Sequence, residues 1–160
     1  MCIARLGLRA SEVVQLRLED LDWGNAVVRV RARKTGHGAL LPLPGGVGAA
    51  LADYLQHGRP DTRARQVFVL HRLRVGEPIS SSIVGRAVDN ALRRAGMAAP
   101  MRGANLLRHW LATDLLDHGA SLREIADLFG HCSLATTRIY AAVDVAALGE
   151  VALPWPQATS

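Results

Sequence analysis

Lysine is almost missing from this 160-residue chain. Lys34 is the only one, and the remaining 18 of the 19 basic residues are arginine. Cysteine is nearly as scarce: Cys2 and Cys132 stand far apart with no CxxC spacing, which argues against a disulfide framework and against a zinc site. No apolar run approaches the roughly 18 residues that a membrane span needs. The opening MCIARLGLRASE carries an arginine in its apolar stretch and no small-residue cleavage pattern, so it does not read as a signal peptide. Neither the acidic residues nor the six histidines show metal-ligand spacing, which leaves a metal-dependent nuclease poorly supported. These absences point to a cytoplasmic protein, associated with neither membrane nor metal nor cofactor.

What is present is ordinary globular material. A hydrophobic fraction of 49% and a charged fraction of 21% suit one domain with a real core and exclude a disordered polyelectrolyte. The 19 basic residues exceed the 14 acidic ones, for a formal net charge of +5. That balance favours a polyanionic partner such as DNA without identifying one.

Along the chain, Ser11 is the expected N-cap of a helix reaching about Leu18, with Glu12 in the first turn, where the dipole favours an acid. Residues 22–25 read as a turn. Alternation over 26–33 predicts a strand with Val28, Val30 and Ala32 on one face and Arg29, Arg31 and Arg33 on the other. The glycine-containing turn around Lys34 and a return strand over 40–43 complete a β-hairpin over 26–43, with Lys34 at its tip. A short helix is expected over 47–57 and a possible third strand over 67–70. Ser80 to Ser82 offer N-caps for a helix over 83–95, whose apolar stripe is Val84, Ala87, Val88, Ala91, Leu92 and Ala95. An apolar helix follows over 106–118, stopped by Gly119.

Ser121-Leu122-Arg123-Glu124 is a capping box. Leu122, Ile125, Ala126 and Phe129 then give one helical stripe, and Gly130 suits a C-terminal cap. Ser133 can cap a further helix over 134–143. The fold class expected is α+β, mostly helical with a small antiparallel sheet.

Three separated segments carry a resemblance. LLRHWLATDLLDHGASLREIADLFGHCSLATTRIYAAV resembles the signature box of the tyrosine recombinases of the phage-integrase family. GLRASEVVQLRLEDLDW is similar to the box holding that family's first catalytic arginine, and RARKTGHGALLPLP to the hairpin holding its lysine. The similarity covers nearly all of residues 5–145 in the right order. It implies a catalytic domain over 1–160 that lacks its first helix and the family's N-terminal core-binding domain. It also implies metal-independent cleavage of double-stranded DNA through a 3′-phosphotyrosyl link, performed by tetramers on paired sites.

The resemblance assigns roles that the chemistry can check. Tyr140 matches the nucleophile; the other tyrosine, Tyr54, lies in an unremarkable predicted helix. A phenol of pKa about 10 needs help losing its proton. Arg9 and Arg108 match the two arginines that would neutralise the phosphate. Each could instead be structural, Arg9 as a helix-start arginine and Arg108 as a salt-bridge partner of Asp114 or Glu12. Lys34 matches the acid that protonates the leaving oxygen, a task arginine cannot perform because its pKa exceeds about 12.

His131 matches a phosphate-binding histidine. It precedes Tyr140 by nine positions, about two and a half turns of a continuous helix, so a break near Gly130 to Ser133 is needed for both to reach one phosphate. Glu12 matches an acid that orients Arg9. Asn105 departs from the pattern: the family usually has histidine, sometimes lysine, three residues before the second arginine. Asparagine can donate a hydrogen bond but cannot act as a general base. His109 lies about 100° around the helix from Arg108 and is not promoted to base. Arginines 29, 31 and 33 suit either DNA backbone contact or a solvated strand face, and His37 and His118 read as surface residues.

Two alternatives stand beside the enzyme. Residues 121–141 also read as helix, tight break, helix, as in a non-catalytic helix-turn-helix DNA-binding protein. The start close to Arg9, together with Asn105, would also fit an inactive remnant of a recombinase.

Overall fold

The computed structural model describes residues 1–31, 38–97 and 103–129. Helix α1 (Cys2–Leu6) ends where Gly7 turns into the left-handed region at φ 63°. There the Gly7 N–H donates to the Ile3 carbonyl and the Leu8 N–H to the Cys2 carbonyl, satisfying two acceptors that a helix end leaves open.

Helix α2 (Ala10–Gln15) begins before Ser11, which corrects the expected cap: Arg9 is the N-cap residue and Ser11 lies exposed in the first turn. Glu12 explains the shift. Its carboxylate reaches back to accept the Arg9 N–H at 2.8 Å, closing the helix start from the third helical position. The helix also stops at Gln15, short of Leu18, and a 3-10 turn over Leu18–Asp20 follows. Asp20 repeats the device and accepts the Arg17 N–H at 2.9 Å.

Strands β1 (Leu21–Asp22), β2 (Val27–Val30) and β3 (Ala39–Pro42) form an antiparallel sheet in that order. The turn between β1 and β2 forms as expected, because the Asp22 carboxylate accepts the Asn25 backbone N–H at 3.0 Å. Pairing of Val28 with Leu41 and of Val30 with Ala39 sends Val28, Val30 and Leu41 into the core and leaves Arg29 and Arg31 outside. The predicted alternation is therefore the one observed as far as Arg31. Ala32, Arg33, Lys34 and His37 lie outside the described residues.

The third strand is β1, not the apolar run 67–70. That run buries Val67 and Val69 but makes only isolated bridges, Arg17 with Gln66 and Val69 with Pro78. Its apolarity foretold burial; its pairing depends on distant single residues.

Helix α3 (Gly45–Asp53) continues into a π-helical turn over Tyr54–Gly58. Helix α4 (Ser81–Arg94) takes Ser80 as its N-cap residue. Its stripe is half covered: Val84 is buried and Val88 and Leu92 partly so, while Ala87, Ala91 and Ala95 stay exposed on an open apolar groove of about 640 Å³. Helix α5 (Ala104–Asp117) starts two residues earlier than expected, which puts Asn105 in its first turn. An α4 side chain fixes that start, the Asp89 carboxylate accepting the Gly103 N–H at 2.6 Å.

Helix α6 (Leu122–Phe129) begins at the predicted capping box, with the Ser121 N–H donating to Glu124 at 2.8 Å and the Glu124 N–H to the Ser121 hydroxyl at 3.3 Å. The expected Gly130 cap and the helix over 134–143 lie outside the described residues. Among the described residues, no helix is long and apolar enough to cross a membrane.

Helix α1 packs on α5, α2 on α4, and α6 on α5. Leu8, Val28, Val47 and Val67 lie in the larger apolar cluster; Leu111, Ala112, Ile125 and Phe129 make a smaller one between α5 and α6.

Candidate active site

Arg9 owes its position to two neighbours. Gly7 swings the chain out of α1, and Leu8, fully buried, pins the connection to the core. Arg9 then starts α2 with its side chain held by Glu12, the Nη1 donating to Oε1 at 3.1 Å. One carboxylate thus holds both the backbone and the guanidinium of the same arginine. The Glu12 side chain is 8% exposed and the Arg9 side chain 34%, so the acid is shielded while the arginine still reaches solvent.

Arg108 sits on the buried side of α5 and is only 3% exposed. Its guanidinium carbon lies 4.3 Å from the centroid of the Phe129 ring, a cation–π arrangement. The same ring lies against Gly7: a Cβ built there would stand 2.5 Å from Phe129 Cε1 and 3.3 Å from Leu111. The Phe129 ring therefore meets Arg108 directly and also lies against Gly7, two residues before Arg9. Arg9 is open to solvent, whereas Arg108 is buried.

Asn105 is exposed one turn before Arg108, and residues three apart on a helix are neighbours. Its side chain can donate a hydrogen bond but cannot act as a general base. His109 is partly buried, and burial first, then the charge of Arg108, pushes its pKa below the usual histidine value. That favours the neutral ring but does not turn it toward Arg108's side of the helix.

The hairpin is anchored at its root. The Arg31 Nε donates to both oxygens of Asp20, at 2.8 and 3.0 Å, and Asp20 is 2% exposed. Glu19 adds contacts to Arg31 at 3.3 Å and to Arg65 at 3.2 Å.

The Phage integrase family model matches residues 1–146. The chain belongs to the phage integrase family. It is 45% identical over 157 residues to a putative integrase/recombinase of Sinorhizobium fredii, an alignment covering 98% of this chain and 38% of that protein. It is 38% identical over 147 residues to tyrosine recombinase XerD of Mycobacterium tuberculosis, covering 91% of this chain and 47% of XerD. The crystal structure of XerA recombinase matches with a TM-score of 0.79 at 29% identity, over 93% of this chain and 53% of that one. XerH recombinase bound to a palindromic difH substrate matches in fold with a TM-score of 0.74 at 24% identity, over 97% of this chain and 44% of that one. The chain spans half or less of the length of these two curated relatives.

In this integrase-family chain, Arg9 and Glu12 lie at the start of α2, Arg108 and Asn105 lie on α5, and α1 packs against both helices. Lys34, His131 and Tyr140 lie outside the described residues. Reading of the sequence did not single out Phe129, which packs on Arg108, or Asp20, which accepts from Arg31. Phe129 looked like one more member of the α6 stripe, and Asp20 like an acid in a polar connection. Nothing local marks either, since their partners, Arg108 and Arg31, come from other elements.

Proposed function

We propose that this chain is the catalytic domain of a tyrosine-type site-specific recombinase or integrase acting on double-stranded DNA, as part of a homotetramer on paired sites and serving a mobile element in the cytoplasm. The observation that carries the reading is that Arg9, clamped by a shielded carboxylate, follows by two residues the Gly7 turn that lies against the Phe129 ring, while Arg108 lies over the face of that ring. Two guanidinium groups suit a phosphate that must gain negative charge in its transition state without a metal.

The roles follow from that arrangement. Tyr140 Oη attacks the scissile phosphorus, forming the O–P bond as the P–O5′ bond breaks. Its phenolic proton leaves to water or to a phosphate oxygen, because Asn105 cannot accept it. Arg9, Arg108 and His131 hold the phosphate. The Lys34 ammonium gives a proton to the departing 5′-oxygen, so no strained alkoxide is released. Rejoining reverses each step. XerH, a fold neighbour, was captured on its difH substrate after cleavage, which supports the choice of duplex DNA as partner. Neither cofactor nor metal enters.

A suicide DNA site, nicked so that the cleaved end diffuses away, tests the reading. The expected result is a denaturant-resistant protein–DNA species that disappears in Tyr140→Phe. Tight duplex binding with no such species in the unaltered chain would instead favour a non-catalytic DNA-binding protein or an inactive remnant of a recombinase.

A further inference from the structure

Asp89 has no part in the chemistry just described, yet it holds the helix that carries Arg108. The backbone N–H at the starts of α2 and α6 is accepted by a glutamate three residues further on, Glu12 for Arg9 and Glu124 for Ser121. In α5 the capping residue is Gly103, and three residues further on stands Leu106, whose side chain accepts nothing. The acceptor comes instead from another helix. Asp89 of α4 takes the Gly103 N–H on its Oδ1 at 2.6 Å, across fourteen residues of sequence. The bond is charge-assisted, and it sets a negative charge at the positive end of the α5 dipole. Gly103 itself has φ 80° and ψ −169°, a region open essentially to glycine alone. A Cβ there would meet nothing within 4 Å among the described residues, so close packing does not fix this point of the chain.

The same bond relates the two helices that carry arginines of the site. Helix α2, capped by Arg9, packs on α4. Val13 of α2, Val84 of α4 and Ala104 of α5 belong to one apolar cluster. Ala104 and Arg108, four residues apart and both buried, share one face of α5. Apolar packing is non-directional, whereas a hydrogen bond has a fixed length and angle. The Asp89 carboxylate thus sets the axial place of α5 against α4, and any slip of α5 carries Arg108 and Asn105 with it.

We propose that Asp89 is a positioning residue for strand cleavage: by capping α5 from α4, it sets Arg108 at the distance from Arg9 that one phosphate requires. This rests on Arg9 and Arg108 being the arginines that neutralise the phosphate. Misplacing such a group by about 1 Å can cost on the order of 10²-fold in rate.

The test uses the charge of the scissile group. A methylphosphonate, in which a methyl group replaces one non-bridging oxygen, is neutral and needs far less help from a guanidinium than a phosphate does. Single-turnover adduct formation by the full chain is measured on matched nicked suicide sites carrying either group, for wild type, Asp89→Ala, Asp89→Asn and Arg9→Gln. Alanine favours the helical state of α4, and Asp89→Gln, which displaces the acceptor by one methylene, takes its place if Asp89→Ala does not fold. The expected result is that Asp89→Ala slows the phosphate site by about 10²-fold and leaves the methylphosphonate site near the wild-type rate, as Arg9→Gln does. Asp89→Asn keeps an acceptor and recovers most of the loss. Equal slowing of both sites by Asp89→Ala, slowing of neither, or no recovery in Asp89→Asn overturns the positioning role while Arg9→Gln still distinguishes the two sites. Equal slowing of both by Arg9→Gln overturns the arginine assignment, and the positioning role with it. No adduct from wild type on the phosphate site overturns the cleavage reading on which both depend.

Discussion

Replacing Gly7 with alanine tests the packing that joins the two arginines. The perturbation acts twice. At φ 63° an alanine sits in the left-handed region, which costs about 1–2 kcal/mol. Its Cβ also stands 2.5 Å from Phe129 Cε1, where ordinary contact begins at 3.4 Å, so the ring must retreat by 3.4 − 2.5 = 0.9 Å. Overpacking of that kind costs about a further 1–3 kcal/mol. Gly119 supplies the control, for it has φ 87° and nothing within 4 Å, so Gly119→Ala carries the conformational cost alone. In urea, with a slope of about 1–3 kcal/mol/M, the extra loss in Gly7→Ala should lower the midpoint by on the order of 1 M relative to Gly119→Ala. Phe129→Leu should relieve the clash, so that Gly7→Ala costs about 1–3 kcal/mol less in that background than in wild type. Because the ring carries Arg108, adduct formation by the folded Gly7→Ala protein should fall on the order of 10²-fold. Equal destabilisation by the two glycine variants, with no coupling to Phe129, would refute the argument that Gly7 is kept small for the ring.

The other expectations are narrower. Asn105→His supplies an exposed ring beside Arg108 that can accept the tyrosine proton; cleavage should rise by on the order of 10²-fold, with a new acid limb in its pH profile, and an unchanged rate would sink the slot assignment. His109 holds its proton less tightly folded than unfolded, so the unfolded chain binds more protons on the acid side. Stability should therefore fall as pH drops through the usual histidine value of about 6.5, and His109→Gln should flatten that dependence in denaturation curves taken from pH 8 to 5. Burial pushes the Cys2 thiol up, so peptide mapping after alkylation near pH 8 should find it protected in the native protein and labelled in urea.

How much of this was legible in the sequence depends on the range of each interaction. The Ser121–Glu124 box, the Asp22–Asn25 turn and the outward-facing Arg29 and Arg31 are local consequences of residue type, and all three are observed. The start of α2 was misplaced for an equally local reason. Serine is the common N-cap, but Glu12 accepts the Arg9 N–H and moves the start to Arg9. The third strand was misread because the apolar run 67–70 resembles a strand as much as β1 does, and hydropathy does not encode a hydrogen-bond partner. The lone Lys34 stood out by composition; Asp20, which anchors the root of its hairpin, did not, because acids are common in such connections.

The family resemblance named Arg108 but not the side chain it packs against. That side chain is Phe129, and the contact could not be read from α6 alone. A ring on an apolar stripe is core by default. It becomes part of a site only because Gly7 leaves room on one side and Arg108 lies over its face. The ring lets a buried guanidinium find a favourable surface in the protein's interior, and its rigidity transmits position. The α1–α2 turn and α5 cannot shift relative to each other without disturbing it. In a reaction without a metal, two arginines must be aimed before the phosphate arrives, since reorienting them during the reaction would add to the barrier. If Arg108 serves the reaction as proposed, its packing on Phe129 makes the test of Gly7 a test of mechanism as well as of stability.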